Sequence, residues 1–177
     1  MSSKKNNIFL LMLSAMLLAM ALYLPFLTGQ IPEIGNMLCP MHLPVLLCGF
    51  LCGPTYGLVV GFVSPLLRFL LFGVPPLVPK GISMCFELAV YGLVSGLLYR
   101  KLPRKKLSIY ISLFGAMTSG RIVWGIARTL FFRLGSSEFG WEAFMAGAFL
   151  TAIPGIIVQI ILIPVIVMAL EEEMVSS

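Results

Sequence analysis

Four charged residues interrupt the long apolar stretches of this 177-residue chain: Arg68, Glu87, Arg121 and Arg128. An arginine near the centre of a bilayer costs at least roughly 2.5 kcal/mol, so each should face a bundle interior or a cavity. Arg121, Trp124 and Arg128 recur at i, i+3 and i+7 and share one helical face. Glu87 and Tyr91, four apart, share another. The four charges sum to +2. Arg68 and Glu87 either form a buried ion pair or both meet a ligand. Even as a pair they leave Arg121 and Arg128 without an acidic partner in the apolar runs. Water or backbone carbonyls could satisfy those guanidinium groups. An anionic or acceptor-rich small molecule is the more economical account, because carboxylate and phosphate match the guanidinium fork. Glu87 would then take a ligand hydroxyl or amine, or else hold Arg68.

Other chemistries lack their parts. No G-x-x-x-x-G-K loop, G-x-S-x-G elbow or H-E-x-x-H helix occurs, and the chain contains no Asp. Cys39, Cys48, Cys52 and Cys85 form no C-x-x-C pair and have only His42 as a nearby imidazole. They read as small apolar packing residues, and no metal site is expected. A membrane-embedded enzyme using Glu87 or His42 as acid or base remains an alternative, as does an assembly subunit with no ligand. No catalytic residue is assigned.

The elements that must position these residues are helices in a membrane. Hydrophobic residues make up 59% of the chain and charged residues 11%, with mean hydropathy +1.04. A soluble domain carries about 25% charged residues. The net charge of +5 does not point to nucleic acid, because most basic residues lie in two short runs flanking apolar stretches. Apolar runs extend over Ile8–Leu27, His42–Gly53, Tyr56–Phe72, Gly81–Tyr99, Leu107–Phe132 and Ala143–Leu170. Ala19-Met20-Ala21 resembles a leader cleavage site, but its run continues to Leu27, long enough to span. The breaks are Gly29–Pro40, the Pro54–Gly57 turn, the Pro-rich Gly73–Lys80 and the basic Arg100–Lys106 segment. An all-α integral membrane bundle of six transmembrane helices follows, one domain over 1–177 with both termini cytoplasmic. This topology puts Lys4, Lys5, Arg100, Lys101, Arg104, Lys105 and Lys106 inside and only Lys80 and Arg133 outside, as the positive-inside rule requires. It also gathers the four buried charges in the outer half of the bilayer. Gly49, Gly53, Gly57 and Gly61, and Gly92 with Gly96, recur every fourth residue and predict close helix packing inside the bundle. Ala15 and Ala19 make a similar strip beside Met12, Met16 and Met20.

The Ala15-x-x-x-Ala19 motif, the His42–Pro54 block, Gly57–Phe62 and Tyr91–Tyr99 together resemble the substrate-binding S components of energy-coupling factor (ECF) transporters. The resemblance covers nearly the whole chain. It implies a cell-membrane protein without enzymatic activity that captures a small water-soluble vitamin or related micronutrient; an acid such as pantothenate fits the surplus of Arg. It implies a transmembrane scaffold subunit and two cytosolic ATPase subunits as partners, which use ATP, and no cofactor in this chain. Ala15 and Ala19 would dock on the scaffold. The ligand would lie in the outer half of the bundle under the loops, in contact with Asn36, Arg68, Glu87, Tyr91, Arg121, Trp124 and Arg128. Gly29–Met41 would fold over it, since its Gly, Pro and Asn residues suit a lid loop.

Overall fold

Six helices carry the described part of the chain, which in this computed structural model comprises residues 2–27, 39–74, 76–103, 105–134 and 153–176. They are α1 (Ser2–Leu27), α2 (His42–Cys52), α3 (Pro54–Phe72), α4 (Ile82–Lys101), α5 (Lys106–Leu134) and α6 (Ile153–Ser176). No strand occurs among the described residues. All but α2 are long and apolar enough to cross a membrane. With 11 residues, α2 is about 16 Å long, roughly half the hydrocarbon thickness. The second run is therefore a half-length helix, and its first residue, His42, sits at mid-depth in the bundle.

The helix ends follow local chemistry. Gly53 joins α2 to α3 at φ 98°, a backbone conformation open to glycine, and Pro54 opens α3 where its missing N–H costs nothing. Gly73 ends α3 at φ 71°, its N–H donating to the Phe69 carbonyl at 2.8 Å. The Pro-rich break then makes one irregular turn, Leu77–Gly81, with Val78 extended at φ −115° and ψ 133°. At the opposite end, Arg100 Nη2 donates to the Cys52 carbonyl at 3.2 Å, a cation on the negative end of α2.

Helix α4 is the centre of the bundle and packs against α2, α3 and α5. Helix α1 lies on α2 and α3, while α6 closes the bundle against α2 and α5. Val45, Leu46, Leu88, Tyr91, Leu113 and Ile163 form the heart of the core. The outward faces remain apolar: Phe9, Met12, Met16, Tyr23, Leu70 and Ile126 are all exposed. Such a surface is stable only in lipid or against a partner.

The glycine repeats bring backbone onto backbone. A Cβ on Gly96 would lie 2.6 Å from Pro54 N and 2.7 Å from the Gly49 carbonyl oxygen, and one on Gly49 would lie 2.5 Å from that of Gly92. A Cβ on Gly57 or Gly92 would overlap the backbone of the other, and one on Gly61 would overlap the Leu88 carbonyl. These atoms cannot move as a side chain would, so α2, α3 and α4 are locked together. Overpacking typically costs about 1–3 kcal/mol, and a clash with main chain belongs at the upper end. Gly92→Leu should therefore lower stability by about 3 kcal/mol or more. Thermal unfolding in detergent checks this; an unchanged midpoint would show that the helices can part.

Candidate functional site

The buried charges meet where α4 faces α5 and the start of α2. Glu87 lies on the second turn of α4 and is 2% exposed. Its Oε1 is 3.1 Å from Arg121 Nη1 on α5 and 3.4 Å from His42 Nε2 on α2. Tyr91, one turn further along α4, is fully buried, and its ring stands edge-on to the His42 ring, centroids 5.0 Å apart at 84°. Gly120 makes room on α5 for the Tyr91 ring, since a Cβ there would lie 2.6 Å from Tyr91 Cδ2. Arg121 Nη2 also makes a weak donor contact to Cys39 Sγ at 3.9 Å. A buried pair such as Glu87–Arg121 gives up two hydration shells, so it adds little stability by itself, yet losing one partner strands the other.

On the same face of α5, Trp124 is 7% exposed and the Arg128 guanidinium carbon lies 5.3 Å from its ring centroid. Lys80, on the turn before α4, approaches the same group. Burial pushes its ammonium below the usual lysine range, nearby Arg128 pushes the same way, and Cys39 opposes them weakly. Lys80 and Arg128 thus act on each other outward of a Glu87–Arg121 pair of zero net charge.

Arg68 goes elsewhere. Its Nη1 donates to the Leu22 carbonyl of α1 at 3.0 Å, and its guanidinium lies 5.5 Å from the Phe26 ring centroid and 5.9 Å from that of Phe72. The expected alternative of an Arg68–Glu87 pair is therefore corrected: Glu87 pairs with Arg121, and Arg68 ties α3 to the outer end of α1. The reason is rotation about the helix axes, which sequence spacing within one helix does not define. A charged hydrogen bond contributes about 1.5–3 kcal/mol. Arg68→Leu should cost roughly that much in unfolding free energy while ligand affinity stays within about twofold; a large loss of affinity instead would return Arg68 to the pocket.

Glu87, Tyr91 and Arg121 are thus brought together, with Trp124 and Arg128 one and two turns outward along α5. Asn36 and most of the Gly29–Met41 lid lie outside the described residues. Ala15 and Ala19 are on the exposed face of α1, beside exposed Met12, Met16 and Met20. Cys48 and Cys52 are buried among core residues, as packing groups would be. Three groups of the cluster were missed as site residues: His42, Cys39 and Lys80. For His42 a signal existed, since it begins an apolar run, where the chain's one imidazole can meet its one intramembrane carboxylate.

The model of the family described as ECF transporter, substrate-specific component, matches residues 10–167. No curated protein and no solved structure gives a match.

Proposed function

The chain belongs to the family of ECF transporter substrate-specific components, and from that premise we propose that it captures a small water-soluble micronutrient in the outer half of the bundle for delivery into the cell. Members of the family are substrate-binding subunits of membrane transporters, not enzymes, which removes the alternative of Glu87 or His42 as an acid–base catalyst. The protein is a multi-pass protein of the bacterial cell membrane.

The observation that carries the ligand reading is the buried polar cluster of Glu87, Arg121, His42 and Tyr91, capped outward by Trp124, Arg128 and Lys80. A lipid-exposed bundle has no structural need to bury so many polar groups together, and intramembrane ionisable residues usually mark a substrate path. In this reading the ligand is an acid, with pantothenate as one example. Its carboxylate meets Arg128 at the rim, its body stacks on Trp124, and its far end reaches Glu87, Tyr91 and Arg121. Arg68 supports the site by anchoring α1, and Asn36 belongs to the loop expected to close over it. The whole chain acts as one capture domain.

The same reading makes Ala15 and Ala19 the contact with a transmembrane scaffold, which two cytosolic ATPases drive. Both are small and exposed on a face of α1 that is otherwise apolar, which suits close approach of another helix. Affinity purification of the tagged chain from its native membrane tests this assembly. The expected result is co-purification of one further membrane subunit and two ATPase chains. Recovery of the chain alone under mild detergent would speak against it.

A further inference from the structure

Resting on the capture reading above, we infer that His42, Glu87 and Arg121 form a charge-neutral recognition subsite for an uncharged ligand group with an N–H beside a C=O, an amide or ureido edge, and that His42 is its specificity-determining contact.

His42 is 3% exposed, yet neither ring nitrogen makes a hydrogen bond among the described residues. Its Nε2 is near Glu87 Oε1 at 3.4 Å, an ion-pair distance without hydrogen-bond alignment. Buried polar atoms are satisfied in the large majority of cases, so an imidazole with both nitrogens open marks a place where another group docks. A neutral imidazole offers one donor and one acceptor. The Tyr91 ring, edge-on at 5.0 Å, limits how the imidazole can turn.

Charge decides the class of group. Glu87 and Arg121 stand 3.1 Å apart and sum to zero. A lone cation entering here would meet Arg121, and a lone anion would meet Glu87. An uncharged group with a donor next to an acceptor suits both members of the pair, its N–H toward Glu87 and its C=O toward Arg121, and either half also suits the one His42 nitrogen that it faces. The cations Arg128 and Lys80 lie outward of this subsite, so any acid function of the same ligand belongs at that end. The ligand is therefore two-ended: amide-like at the inner end, acidic at the outer.

The test is calorimetric titration of the purified full-length protein with four probes. Pantothenate and biotin carry both an acid and an amide or ureido edge. Nicotinate has an acid but no such donor, and thiamine is a cation. Pantothenate or biotin should bind the wild-type protein at least about tenfold tighter than nicotinate or thiamine. His42→Phe, which keeps the ring and removes the nitrogens, should weaken that binding about tenfold or more, whereas His42→Gln should stay within about threefold. The ranking on wild type needs no variant, so it stands even if His42→Phe folds poorly. Preference for nicotinate or thiamine, binding of none of the four, or equal affinity in His42→Phe and wild type would overturn the subsite; the last would mean that water occupies it. Recovery from the protein of a small molecule that lacks an amide or ureido edge would keep the capture reading and discard the subsite alone.

Discussion

Arg121→Ala should abolish tight ligand binding and also destabilise the fold, and the two effects should separate. Removing Arg121 leaves Glu87 buried with its charge uncompensated, which costs about 3–5 kcal/mol. Arg121→Ala combined with Glu87→Gln removes that stranded charge, so most of the stability should return. Affinity for the co-purifying compound should not: it should remain at least about tenfold below wild type in both proteins, because the ligand loses a charged hydrogen bond in each. Arg121→Lys should recover part of it, keeping the charge but not the planar fork. Unfolding and ligand titration on the same samples form a double-mutant cycle. Wild-type affinity in the double variant would mean that the pair only holds α4 to α5.

Ala15→Trp and Ala19→Trp should have the opposite signature. Both residues are exposed on α1, so a larger side chain displaces no core residue. It would hold another helix away, and close helix contact in membranes depends on small residues at the crossing. Uptake of the ligand into cells should fall at least about tenfold, while affinity and thermal stability of the isolated protein stay within about twofold and a few degrees. Loss of binding along with uptake would show that this strip supports the bundle and does not meet a scaffold.

Much of the fold was legible because lipid imposes a simple rule: apolar length marks a span, and Gly, Pro and basic clusters mark its ends. The runs beginning at Tyr56, Gly81 and Leu107 match α3, α4 and α5 closely, and the glycine spacing foretold close packing inside the bundle, though not that α2 and α3 meet α4. The extent of the sixth run could be compared only from Ile153 onward. The site was half legible. Depth along each helix can be counted, so the meeting of Glu87 and Arg121 at one level was within reach. Rotation cannot be counted, so Arg68 was the partner considered for Glu87, and Arg121 was left without one. Arg68 found instead the Leu22 carbonyl of α1. His42 reads in the sequence as the outer start of a second span, and so as lying near the membrane surface. Only the half-length of α2 carries it to the depth of Tyr91. The charge of the pocket changed for the same reason: once Arg121 is matched to Glu87, the inner end carries no net charge.

The central claim is that this chain holds a small polar molecule within its bundle. Mass spectrometry of compounds released on denaturing the protein, purified in mild detergent from cells grown on rich medium, tests it most directly. One compound, near one equivalent per chain in wild type and strongly reduced in Arg121→Ala with Glu87→Gln, is the result predicted. No compound above background, or the same amount from both proteins, would contradict it.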